Sequence, residues 1–202
     1  MPYYERLSFA VAAIILWFLS QKFLGKRVSS PQNEIQDLIH KATARINSHL
    51  QSNTRLANFL IFSSSLIIDI LGTSMFIWSI LGPSLRPLVC LIILFFLRQI
   101  NQLITMLPSP KGMIWKNPGF PSFFVTYDVS TDLFFSGHTA LATLAALELI
   151  SFGNIFLSVA AVLMLSYEII VVLILRAHWT LDVFTGAVTA LWVYDLVSHW
   201  GI

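Results

Sequence analysis

Two histidines and a carboxylate are the residues of this chain whose types and spacing can do chemistry. His138 closes the run Asp132-Leu-Phe-Phe-Ser136-Gly137-His138, and His178 and Asp182 lie in Arg176-Ala-His178-Trp179-Thr180-Leu181-Asp182. About forty almost wholly apolar residues separate the two runs, enough for two membrane-spanning helices and a tight turn. A chain that crosses and returns brings both histidines to one membrane face. Four residues apart on a helix, His178 and Asp182 share a side, so the carboxylate can hold one ring N–H. That fixes the tautomer and frees the other nitrogen as a nucleophile. Ser136 reads as a helix N-cap, and the N–H groups after it form a phosphate cradle that Gly137 lets a ligand approach. The chemistry that follows is phosphoryl transfer. His178 attacks phosphorus to give a phosphohistidine, while His138 protonates the departing lipid oxygen and then deprotonates the incoming hydroxyl. Each fragment alone is commonplace. A lone interfacial histidine is more often structural, and it is the combination that favours catalysis.

Composition says where such a site must sit. Of 202 residues, 56% are hydrophobic and 11% charged, against about a quarter charged in soluble domains. Mean hydropathy is +0.77, and sixteen Phe fit a polytopic membrane protein. A net charge of +2 without a basic, aromatic-laced patch gives no ground for a nucleic-acid partner. Cys90 stands alone in an apolar run, so neither a disulfide framework nor a cysteine metal site is expected. No usual metal motif is present, and the chemistry above calls for no metal or other cofactor.

The elements that position the site read as all-α: a six-transmembrane helix bundle with an amphipathic surface helix. The expected spans are 7–24, 58–81, 85–107, 133–152, 155–175 and 179–197. The first reads as a retained anchor, with only Arg6 ahead of it and no cleavage signal. From Pro31 to Asn53, Ile35, Leu38, Ile39, Ala42, Ile46 and Leu50 fall on one helical face, with Ser30 as cap and Glu34 in the first turn. That helix lies on the membrane or packs on its own bundle; the pattern allows both. Residues 1–57 thus form an anchor and surface helix, and 58–202 the catalytic bundle. Charges inside spans are costly and pair. Asp69 with Arg98 is the obvious pair, and Glu148 and Glu168 are further intramembrane acids. The loop from Pro108 to Thr131 holds four prolines and many aromatics, which marks it as functional or interfacial.

Asp132-Leu-Phe-Phe-Ser-Gly-His138-Thr and His178-Trp-Thr-Leu-Asp182 resemble the two signature motifs of the sphingomyelin synthases. They are similar also to those of the plant phosphatidylcholine:diacylglycerol cholinephosphotransferases. Both families sit in the wider lipid phosphatase/phosphotransferase (PAP2-like) superfamily. Arg98 followed by Thr105-Met-Leu107-Pro108-Ser-Pro110 resembles a third motif of the same families. The resemblance implies His138, His178 and Asp182 as a catalytic triad with His178 as nucleophile. Superfamily phosphatases carry a Lys seven residues ahead of the Arg of an Arg-Pro pair, and an Arg six before the second His. Here Ser79 precedes Arg86-Pro87, and Val172 precedes His178.

A monoester is nearly a dianion and wants several cations. This cation-poor site suits a phosphodiester. A choline-type cation wants carboxylates and aromatic faces, which Asp128, Asp132, Tyr127, Trp115 and neighbouring Phe residues supply. The expectation is a lipid phosphotransferase that moves a phospho-head group, phosphocholine by this charge argument, to a diacylglycerol or ceramide hydroxyl. Ser136, Gly137, Asp132, Arg98, Asp128 and Tyr127 are the expected substrate contacts. A phosphatase or phospholipase C-like hydrolase is the rival, and a non-catalytic lipid-binding protein a third reading. The partners are membrane lipids, with a homo-oligomer left open. The host is an endomembrane such as ER or Golgi, or a bacterial inner membrane. Sidedness divides the arguments. Six spans put Arg6 and Arg86 on one side. Lys22, Lys26, Arg27, Lys41, Arg45, Arg55, Lys111, Lys116 and Arg176 fall on the other, with both histidines. Positive charge therefore expects a cytoplasmic site, whereas the resemblance implies a luminal or exterior one.

Overall fold

Backbone inside hydrocarbon has no water to bond, so apolar runs of this length must satisfy their amides within helices. The computed structural model describes residues 2–24, 35–117, 119, 122–127 and 133–202. It contains α1 (Tyr3–Leu24), α2 (Leu38–Ala42), α3 (Ala44–Ser52), α4 (Thr54–Leu81), α5 (Arg86–Ile104), α6 (Gly137–Ser151), α7 (Ile155–Ile174) and α8 (Thr180–Ser198), with no strand among the described residues. Five of these are long and apolar enough to cross a bilayer: α1, α4, α5, α7 and α8. The protein is an integral, multi-pass membrane protein.

α6 differs from its expected span. It begins at Gly137 because Ser136 takes the cap, its hydroxyl oxygen accepting the Thr139 amide at 3.3 Å. Its fifteen residues reach only about 22 Å. It is the central helix, packed against α4, α5, α7 and α8, and Ala140 to Ala146 are all buried. Four surrounding helices cover its sides, so its sequence is apolar all round rather than on one stripe.

The expected surface helix is two short helices broken at Thr43. Its proposed start at Ser30, Pro31 and Glu34 lies outside the described residues. The cap is Asp37, whose carboxylate accepts the amides of Ile39 and His40. The polar edge faces the bundle: His40 and Asn47 are buried, with Leu50 beside them. Asn47 donates to the carbonyls of Gly112 and Ile174. Leu38, at 78% exposure, Ile39 and Ile46 point outward. An apolar face turned away from the protein, flanked by Lys41 and Arg45, is the pattern of a helix lying on lipid.

Buried charges choose other partners than the sequence suggested. Asp69 does not pair with Arg98. Its carboxylate accepts the Ser122 hydroxyl and the amides of Phe123 and Phe124, pinning the long loop to α4. Backbone amides satisfy it as fully as a guanidinium would, and α4 delivers it under the loop. Glu148 forms a bidentate pair with Arg86 at 2.7 and 3.1 Å, at the end of α6 away from His138. Arg86 is therefore no phosphate ligand of the histidine site. Glu168 accepts from Ser64 at 2.6 Å between α7 and α4.

Candidate active site

His138 enters on the first turn of α6, and His178 on the segment that joins α7 to α8. Arg176 turns that segment with φ of 55°, the left-handed step common just past a helix end. The two rings lie 6.5 Å apart between centroids, and 8% and 7% of the respective residues are exposed. The Ser136 amide donates to the Asp182 carbonyl at 3.1 Å and ties the two segments together. Gly186 makes the approach close: a Cβ there would stand 2.7 Å from the Ser136 carbonyl oxygen.

His178 is oriented differently from the sequence expectation. α8 starts only at Thr180, so His178 and Asp182 do not lie on one regular helix. The Asp182 carboxylate turns back to accept the Trp179 amide at 2.9 Å and stands 3.7 Å from His178 Nδ1. Nδ1 donates instead to the Leu133 carbonyl at 3.0 Å. A carbonyl only accepts, so Nδ1 carries the proton and Nε2 keeps its lone pair. A backbone oxygen, rather than the expected carboxylate, is thus the main holder of the ring N–H, with the fully buried Asp182 as the nearby charge.

A cavity opens onto both rings. Arg98 and Gly137 line it beside the histidines, and Trp115, Phe124 and Gln21 close it. Arg98 donates from Nε to the Phe135 carbonyl at 2.9 Å and is the one Lys or Arg on the lining among the described residues. A Cβ at Gly137 would come within 3.2 Å of that guanidinium. Glycine leaves room for both the arginine and a ligand. His138 Nε2 is buried and without a hydrogen-bond partner among the described residues. Trp115 meets the His138 ring edge-on at 5.1 Å. Tyr127 packs at a tilt against Trp115 and bonds the Ser65 hydroxyl, one layer behind the lining. Burial raises its phenol above the usual range, so it stays neutral. Asp128 and Asp132 lie outside the described residues. Glu148 and Glu168 do not reach the cavity. Among the described residues no three His, Cys, Asp or Glu gather into a metal-binding group.

Asp37 and His40 are neighbours of this site that motif reading missed. The Asp37 carboxylate accepts the Thr180 amide at 2.7 Å and its hydroxyl at 2.8 Å. His40 donates from Nε2 to the His178 carbonyl at 3.1 Å and stacks on Trp179. The surface helix is thereby fastened to the segment carrying His178. Burial works against the Asp37 charge, but the Thr180 and His40 hydrogen bonds win and hold its pKa below 3.8. Burial pushes His40 below 6.5, against the opposing pull of Asp37. A depressed histidine costs nothing while both states are neutral. The folded state then loses stability as pH falls from 6.5 toward the lower folded value. Hydrogen exchange of the α2 amides should therefore speed up relative to α6 between neutral pH and about pH 5. His40→Gln should remove that pH dependence.

Comparison with known proteins places these features. The model of the AtPDCT1/2 family matches residues 36–199, which include both histidine segments, Asp37 and His40. Over 184 residues the chain is 24% identical to phosphatidylcholine:diacylglycerol cholinephosphotransferase 1 of Arabidopsis thaliana. That alignment covers 91% of this chain and 59% of the relative, so the chain spans well under two thirds of the relative's length. No solved structure matches.

Proposed function

Because this chain belongs to the AtPDCT1/2 family, we propose that it is a lipid phosphotransferase. The donor is a glycerophospholipid, with phosphocholine as the moving group, and the acceptor is a diacylglycerol or ceramide hydroxyl. The observation that carries this reading is the pair of buried histidines facing one cavity, with Arg98 beside them. His178 Nε2 attacks phosphorus and displaces the diacylglycerol oxygen, which takes its proton from His138 Nε2. The phosphocholine now sits on His178. His138, left neutral, accepts the proton of the acceptor hydroxyl as its oxygen attacks and releases His178. Arg98 and the amides at the start of α6 hold the non-bridging oxygens, where a diester presents one negative charge. Trp115 offers the choline cation an aromatic wall.

The test is thin-layer analysis of purified protein with head-group-labelled long-chain phosphatidylcholine and ceramide, no added acceptor, or a short-chain diacylglycerol whose product separates from the donor. Labelled phosphatidylcholine or sphingomyelin formed from the added acceptor supports transfer. Phosphocholine released in the absence of acceptor would replace it with the hydrolase reading. Rapid phosphate release from phosphatidic acid without head-group transfer would replace it with the phosphatase reading.

A further inference from the structure

Beside the reaction cavity, on the outer face of the bundle, lies an apolar groove. Ala13, Ile14 and Phe18 of α1, Thr73 of α4, and Leu91 and Ile92 of α5 form its sides. Trp17, Phe95 and Phe124 line both the groove and the reaction cavity, so the two share a wall. The three helices agree on its direction. On α1 the cavity takes Gln21 and the groove reaches Ala13; on α4 it takes Ile68 and the groove reaches Phe76; on α5 it takes Arg98 and the groove reaches Leu91. Each step is seven or eight residues, about 10–12 Å along a helix. The groove thus runs from the histidines toward the opposite membrane face.

Gln21 marks the junction. It is 8% exposed and lines the reaction cavity, and neither its amide nitrogen nor its oxygen has a partner among the described residues. Such a group costs free energy unless a ligand supplies its hydrogen bonds. α1 lies outside the residues matched to the family model.

We propose that the groove holds one hydrocarbon chain of the reacting phospholipid, with the Gln21 amide binding that lipid's ester region where groove and cavity meet. The inference rests on the phosphotransferase reading and adds to it where the donor lipid lies. Bulk lipid is as apolar as the groove, so entering it gains no hydrophobic free energy. What the groove supplies is position: a chain threaded there sets the phosphate beside His178, the pre-paid orientation on which transfer depends.

The experiment compares head-group-labelled long-chain and short-chain phosphatidylcholine in detergent. Thr73→Trp and Ala13→Trp fill the groove from opposite sides, and exposed Ile77→Trp on the same α4 lies off it. Both groove variants should lose about tenfold in kcat/KM on the long-chain lipid. Turnover of the short-chain lipid should be retained, and Ile77→Trp should match wild type on both. Equal losses on the two lipids, or no loss, would overturn the groove assignment. Gln21→Leu should lower kcat/KM on both lipids by about tenfold; unchanged values would remove Gln21 from the site. A second arm does not depend on activity. Phosphatidylcholine with a photoactivatable chain should label peptides containing residues 13–18 and 91–95 of the intact protein, and less so in Thr73→Trp. Labelling spread evenly over the lipid-facing side of α7 would show an ordinary lipid shell and overturn the proposal. Should the protein move no head group from either lipid, the phosphotransferase reading falls while this arm still decides the groove.

Discussion

His178→Ala should reduce head-group transfer by at least about 10⁴-fold, because it removes the nucleophile of the proposed covalent intermediate. The buried ring makes one described hydrogen bond, Nδ1 to the Leu133 carbonyl. The folded bundle should therefore survive its removal, with an unchanged elution profile and a thermal midpoint close to wild type. His138→Ala should be nearly as severe, through loss of both proton transfers. The two losses should not multiply in the double variant, since the residues act as a unit. Asp182→Asn should be milder: an amide oxygen still accepts the Trp179 N–H, and the Leu133 carbonyl still holds the His178 tautomer. Radiolabelled phosphocholine retained on wild type after acid-free denaturation, and absent from His178→Ala, would identify the intermediate. Wild-type turnover in His178→Ala would end the mechanism.

Gly186→Ala should damage both stability and activity although it touches no reacting atom. The new Cβ would stand 2.7 Å from the Ser136 carbonyl oxygen, and that oxygen cannot yield freely because it accepts the Ala140 amide in the first turn of α6. Overpacking of this kind costs about 1–3 kcal/mol. The relief available is to move α6 away from α8, which separates His138 from His178. A displacement of about 1 Å at such a site can cost 10²-fold in rate. Gly72→Ala is the internal comparison. Its Cβ would meet the Phe124 ring at 2.8 Å, a side chain that can swing aside. Thermal unfolding should rank Gly186→Ala well below Gly72→Ala. If the two prove equally mild, the contact between α6 and α8 does not set the histidine geometry.

The reach of the sequence can be judged residue by residue. Helical spans, the Ser136 cap and the meeting of His138 with His178 were all readable, because each follows from local rules. Apolar runs must be helical in lipid, and two consecutive helices return the chain to one face. Polar partnerships were less readable. Asp69 had two chemically sound choices, a guanidinium or backbone amides, and only the path of the loop between Ser122 and Phe124 decided between them. The Leu133 carbonyl could not be seen as the holder of His178, since every residue carries an identical carbonyl. Gly186 left a faint trace, a glycine inside a helix where alanine is favoured by about 1 kcal/mol.

What the sequence determined alone was therefore the pair of histidines that meet and the membrane-spanning order that gathers them. Tertiary structure decided the rest. Asp37 and His40 stand roughly 140 residues from the segment they hold. Gln21 enters the cavity beside Trp17 from a helix that carries no motif. Local pattern records which face of a helix is apolar, because that depends on period. Which polar atom meets which across the bundle depends on how helices cross and how loops return, and no short-range regularity encodes it.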